Sequence, residues 1–132
     1  LEAWSRGAAG GVFVEQNAKA AACIRQNITL VAKSARRDAR SLRLVVADAL
    51  AWRPAPGDPA PELVFIDPPY PLIAELAPRL FAGLLEVTAS VADPLIVFEY
   101  PGELDLEPVG WTLLKRIGRG VRQPTVGFFR RA

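Results

Sequence analysis

A chain of 132 residues, 51% hydrophobic and 23% charged, has the size and composition of one globular domain rather than a disordered tail. Its single Cys excludes an internal disulfide framework, and the absence of His excludes Ser-His-Asp and Cys-His catalysis along with the usual zinc ligand sets. No apolar run approaches the roughly 20 residues of a membrane span and no secretory signal opens the sequence, so the expectation is a cytoplasmic protein that needs neither membrane nor metal.

The net charge of +2 conceals an uneven distribution. Residues 1–47 hold 8 basic and 3 acidic side chains, residues 48–107 hold 2 basic and 11 acidic, and residues 108–132 hold 6 basic and none acidic. A polyanionic partner would therefore meet the ends of the chain and not its middle. Ordinary solvated charge is the competing reading.

In chain order, Leu1 to Gly7 reads as a helix end stopped by glycine. A helix that opens mid-element suggests sequence upstream. Val12-Phe13-Val14 is a short buried strand ending in Glu15. Asn17 is placed to cap a helix over residues 18 to about 33, where Ala20, Ile24, Ile28 and Val31 recur at helical spacing. An Arg-rich connection over 34–41 leads to a strand at 42–46, ending at Ala47-Asp48. Pro54, Pro56, Gly57, Pro59 and Pro61 make 53–61 a loop. Leu63-Val64-Phe65-Ile66 is a continuous apolar run, as in a central parallel strand. Residues 72–90 are helix-prone but contain Pro78 and Gly83, which predicts two short helices. Leu95 to Phe98 forms another buried strand, followed by Glu99, and two more strands are expected near 110–117 and 125–131. Strands alternating with helices, then a closing hairpin, give an α/β fold with a mostly parallel sheet in a single domain spanning 1–132.

Four of these strands finish in a carboxylate: Glu15, Asp48, Asp67 and Glu99. In an open parallel sheet the ligand crevice lies at the carboxyl ends of the strands, and an acid there commonly accepts hydrogen bonds from ribose hydroxyls. Glu15 fits that role. The competing reading is a plain acid preceding the helix cap Asn17. Asp48 could receive an adenine amino group, or could simply end a strand in solvent.

Asp67-Pro68-Pro69-Tyr70 is the most informative segment. Two prolines remove two backbone N–H donors and hold their predecessors extended. What remains is a rim of acceptors, the Asp67 carboxylate and nearby carbonyls, with an aromatic face beside it. Such a rim suits a planar ligand bearing an exocyclic amine, stacked on the ring. No strong nucleophile is present, so the chemistry that fits is attack by the substrate's own nitrogen on an electrophile held alongside. The alternative is a rigid turn leaving a strand.

At these residues the sequence resembles the class I S-adenosylmethionine-dependent methyltransferases that act on exocyclic amines, with their Asp/Asn-Pro-Pro-Tyr motif. It resembles most the RsmD-like family, which methylates the N2 amine of a guanine in bacterial 16S ribosomal RNA. The matching stretches are Leu1-Glu2-Ala3, Ser5-Arg6-Gly7-Ala8, Phe13-Val14-Glu15, Asp48-Ala49, Leu63 through Tyr70, and Val126 through Arg131. The resemblance implies a Rossmann-like, seven-stranded sheet whose last strand is antiparallel. It also implies that the family's first strand and glycine-rich loop lie upstream of the Leu1-Glu2-Ala3 segment and are lacking here. It implies S-adenosyl-L-methionine as cofactor, with Glu15 on its ribose and Asp48 and Ala49 near its adenine. It implies Asp67, Pro68, Pro69 and Tyr70 as the catalytic segment, accepting the guanine amine and stacking the base. The implied partner is ribosomal RNA or a small-subunit assembly intermediate, met by a monomer.

The remaining features are expected to be ordinary. Cys23 reads as a small buried hydrophobe, and Trp4, Trp52 and Trp111 as packing residues. Asn27-Ile28-Thr29 matches a glycosylation acceptor but falls in a predicted helix. Arg36, Arg37, Arg40 and Arg43, with Lys115, Arg116, Arg119, Arg122, Arg130 and Arg131, are candidates for RNA phosphates. Two rivals stand beside RNA methylation: a DNA adenine-N6 methyltransferase, and a non-catalytic RNA-binding module on a methyltransferase scaffold.

Overall fold

The structure, a computed structural model, describes residues 1–118, 120, 121 and 123–132. Arg119 and Arg122 lie outside the described residues. The chain divides into two compact units, Leu1–Trp52 and Arg53–Ala132.

The first unit opens with a one-turn helix α1 (Glu2–Ser5), which ends at Arg6 and Gly7. Gly7 has φ +116°, a conformation open to glycine at little cost. Strand β1 (Gly11–Val14) pairs in parallel with β2 (Leu42–Val45), in the register Val14 to Val45. The long helix α2 (Ala18–Ala35) joins them. Asn17 caps it as expected: its side chain accepts from the amides of Lys19 and Ala20 at 2.9 and 3.1 Å. Ala20, Ala21, Ile24, Ile28 and Val31 form the inward stripe of α2, with Ala21 fully buried. Cys23 is exposed, not buried. It lies two residues, or about 200°, beyond Ala21 on the helix circumference, outside the stripe.

Arg37 locks this unit together. Its guanidinium lies 4.4 Å over the Trp4 ring. It donates to the Trp4 carbonyl and, at 3.2 Å, to that of Ala8. Trp4 is buried, and its indole N–H reaches Ser41 Oγ at 3.0 Å.

The second unit is a four-stranded sheet in the order β3-β4-β6-β5, where β3 is Leu63–Ile66, β4 Leu95–Pro101, β5 Trp111–Ile117 and β6 Pro124–Arg131. Strands β3 and β4 are parallel, and β6 runs antiparallel to both β4 and β5. So β3, β4 and β5 share one direction and the last strand alone opposes them, as expected for this α/β class. Within this four-stranded sheet Leu63–Ile66 is the end strand, bonded to β4, and Phe65 is 64% exposed. An apolar run reports that a strand is apolar on both faces and says nothing about its neighbours.

Residues 73–87 form one helix, α3 (Ile73–Val87), where the sequence predicts two. Pro78 removes one bond, from its own position to the Ala74 carbonyl, at about 3 kcal/mol. Ile73, Ala77, Phe81 and Leu84 recur at helical spacing and are all buried, and their gain outweighs that loss. They pack on Ile96, Phe98 and Tyr100 of β4, Trp111 of β5 and Phe129 of β6. Phe81 is at the centre, 5.3 Å from Phe98 and 4.9 Å from Phe129 between ring centroids. The buried Trp111 indole donates to the Phe81 carbonyl at 3.0 Å. Trp4 and Trp111 are thus packing residues, and Trp52 is half-buried.

Candidate active site

The segment after β3 is built by strand register. Ile66 pairs with Phe98 across the parallel β3–β4 ladder, so the residues that follow come out side by side, Asp67 just past the end of β3 and Glu99 within β4. Alternation puts them on one face. Ile96, Phe98 and Tyr100 are buried against α3, as are, in part, Val64 and Ile66, so Asp67 and Glu99 belong to the opposite, open face.

Pro68 and Pro69 then turn the chain into a short 3-10 helix, Tyr70–Leu72, which leads directly into α3. Pro69 sits at φ −57° and ψ 126°, its φ fixed by the pyrrolidine ring. The turn brings Tyr70 back toward β4, where its hydroxyl donates to Glu99 Oε1 at 3.0 Å. Tyr70 stays 37% exposed, its ring accessible.

The electrostatics follow from this packing. Partial burial, and then the negative Glu99 alongside, hold the Asp67 carboxyl above the usual carboxylate range. Desolvation first, then the hydrogen bond to Glu99 and the charges of Glu99, Asp67 and Glu103, push the Tyr70 phenol up. Tyr70 therefore stays protonated and acts as a donor to Glu99.

The first unit holds the other expected residues. Glu15 follows β1 and its backbone continues the ladder: its N–H donates to the Val45 carbonyl, and its own carbonyl accepts from Ala47 at 3.2 Å. Its carboxylate Oε1 accepts the Asn17 amide at 2.7 Å, just ahead of α2. The helix-proximal role weighed for Glu15 is thus real, and it occupies one oxygen of the two. Asp48 follows β2 and closes a tight turn, with Oδ1 accepting from the Leu50 amide at 2.9 Å. Asp48 and its neighbour Ala49 are exposed. The structure therefore brings Glu15 and Asp48 to the same ends of two paired strands in one unit, and Asp67, Pro68, Pro69 and Tyr70 to the strand ends of the other.

Glu99 belongs to this constellation, although the sequence marks it only as one acid among four. The register that sets it beside Asp67 is a tertiary fact. The basic candidates divide differently from expectation. Arg131 caps the carboxyl end of α3, donating to the Thr88 carbonyl and hydroxyl, both at 2.8 Å. Arg130 is ion-paired with Asp93. Arg116 donates to the Gly102 carbonyl and lies 5.4 Å over the Tyr100 ring. Arg40 is paired with Asp38 at 2.6 Å. These arginines, with Arg37, have structural work in the chain itself.

The family model described as conserved hypothetical protein 95 matches residues 1–125. The chain belongs to that family. The conserved hypothetical protein 95 fold recurs in solved structures. One, provisionally named a methyltransferase from Escherichia coli, is 27% identical at a TM-score of 0.71, covering 98% of this chain and 67% of that one. Another, provisionally named a methylase from Haemophilus influenzae, is 21% identical at a TM-score of 0.68, covering 98% of this chain and 77% of that one. A conserved hypothetical protein from Streptococcus pyogenes is 23% identical at a TM-score of 0.69, covering 98% and 76%. No curated protein matches the sequence. This member of the conserved hypothetical protein 95 family thus has the mixed α/β architecture of structures named as methyl-transferring proteins.

Proposed function

We propose that the protein is an S-adenosylmethionine-dependent methyltransferase that methylates the exocyclic N2 amine of a guanine in small-subunit ribosomal RNA. The observation that carries this reading is Asp67-Pro68-Pro69-Tyr70, set directly after β3 with the Tyr70 ring exposed. Membership of the conserved hypothetical protein 95 family and the 27% identity to a structure provisionally named a methyltransferase support it.

The first unit fits the cofactor by donor chemistry. A ribose diol and an adenine amine are donors and need acceptors. Glu15 has a second carboxylate oxygen beyond the one that holds Asn17, and Asp48 is exposed at the end of β2. Glu15 is assigned to the ribose, and Asp48 with Ala49 to the adenine. When bound, S-adenosylmethionine supplies the electrophilic methyl group.

The second unit supplies the acceptor for the substrate. The Asp67 carboxylate and the carbonyls of the Pro68 region accept the N–H bonds of the amine and hold its nitrogen in place. The prolines leave no competing N–H donor at the rim. Tyr70 stacks the base at about 1–3 kcal/mol. The Asp67 carboxylate lies beside that of Glu99, so the developing positive charge on the nitrogen meets a negative field.

The test is transfer of labelled methyl by the full-length gene product to unmethylated small-subunit particles, free 16S RNA and duplex DNA, with nucleoside analysis. N2-methylguanosine in the RNA is the expected product. Label in DNA adenine would move the substrate to the DNA rival. No label from a folded protein would favour the non-catalytic module. Asp67→Ala is expected to lower the rate by about 100-fold or more, with cofactor affinity changed by no more than a few fold. A variant with near-wild-type turnover would remove Asp67 from the mechanism.

A further inference from the structure

The Tyr70–Glu99 bond has a consequence for how the ring does its work. An aromatic platform on a surface turn loses affinity if the ring swings freely, because binding must then freeze it. Tyr70 is on a surface turn, two prolines after a strand, and 37% exposed. Its hydroxyl is held from outside that turn, by Glu99, 29 residues away on another strand. Glu99 is half-buried on β4 and doubly located. It continues the Ile66–Phe98 register beside Asp67, and it pairs across the antiparallel ladder with Val126 of β6. A strand held on both sides is a rigid anchor, and a turn is not.

We propose that Glu99 is a positioning residue: by accepting the Tyr70 hydroxyl it fixes the plane of the ring on which the substrate base stacks. The inference rests on the reading of Asp67–Tyr70 as the amine-accepting site. It adds a selectivity to that site. With its proton committed to Glu99, the Tyr70 hydroxyl has no donor left for the ligand. Asp67, Glu99 and Tyr70 then present acceptors alone, which favours a base edge carrying an amine and opposes one carrying a carbonyl.

The test compares Glu99→Ala, Glu99→Gln, Tyr70→Phe and the double variant Tyr70→Phe with Glu99→Ala. Methyl transfer to the RNA substrate is read as KM and kcat separately. The ring motion of Tyr70 is read independently by relaxation of a 13C-labelled tyrosine. With only Tyr70 and Tyr100 present, Tyr70→Phe assigns the signal. Glu99→Ala is expected to free the ring and raise KM by roughly three- to tenfold. Glu99→Gln, whose amide oxygen still accepts the hydroxyl, recovers most of both effects. Tyr70→Phe matches Glu99→Ala in KM, and the double variant loses no more than either. Losses that multiply in the double variant would overturn the proposal, as would a Tyr70 ring equally immobile with Ala at 99. If the wild-type protein methylates nothing, the functional reading fails, and the relaxation data still decide whether Glu99 holds the ring.

Discussion

Asp67 carries a cost that its surroundings make measurable. Its carboxyl is held above the usual range by partial burial and by the neighbouring Glu99, so the folded state binds a proton more tightly than the unfolded chain. Stability contributed through Asp67 therefore falls as pH rises from the ordinary carboxylate value through the raised one. At neutral pH the charged form is the penalised one. Asp67→Asn, which keeps the shape and removes the charge, is expected to raise the melting temperature at pH 7. Near pH 3, where the wild-type carboxyl is itself neutral, the gain should vanish. Thermal unfolding at the two pH values checks this, and a gain that persists unchanged in acid would show that charge is not its source. A residue that destabilises the fold while supplying an acceptor is what a site selected for chemistry contains.

At the scale of elements, α3 records a contest between local and tertiary terms. Pro78 is exposed, one turn into the helix, and lacks the N–H that would reach the Ala74 carbonyl. The helix persists because its buried stripe packs on three strands. Pro78→Ala restores that bond at about 3 kcal/mol, less about 0.4–1 kcal/mol for the added freedom of the unfolded chain. A net gain of about 2 kcal/mol is expected from these two terms, read as a higher urea midpoint with an unchanged slope. A lower midpoint would mean that the proline ring makes packing the helix needs. The end of the same helix is also held from a distance, where Arg131 of β6 donates to the Thr88 carbonyl, which accepts the Val91 N–H as well. The tail is therefore a structural part of this unit as well as a basic one.

At the scale of the whole molecule, the charge pattern bears on the proposed RNA partner. Basic side chains gather toward the ends of the chain, but several are committed: Arg37 to Trp4, Arg116 to Gly102, Arg130 to Asp93 and Arg131 to Thr88. Arg36 and Lys115 are exposed and are better placed to meet phosphate. On the ribosomal RNA reading, replacing both with Ala should weaken RNA binding and reduce the slope of log K against log salt by about 0.7 for each phosphate no longer neutralised. An unchanged slope would exclude both as phosphate ligands. Among the described residues no helix is long and apolar enough to cross a membrane.

Much of this protein is legible in its amino-acid sequence. The Asn17 cap, the α2 stripe, the positions of β1 to β6 and the acids that follow β1, β2 and β3 are local matters, set by spacing, capping chemistry and proline, which act over a few residues; β4 runs past its expected end at Phe98 to Pro101 and takes in Glu99. The motif Asp67-Pro68-Pro69-Tyr70 is legible for the same reason, because its meaning lies in consecutive residues. Three matters are decided only by tertiary structure. The register of β3 on β4 places Glu99 beside Asp67 and gives Tyr70 its partner. Packing keeps α3 whole across Pro78. Strand order puts Leu63–Ile66 at the end of the second unit's sheet. Each depends on groups tens of residues apart meeting in space, and no local pattern encodes which strand a carboxylate will lie beside or which carbonyl an arginine will reach.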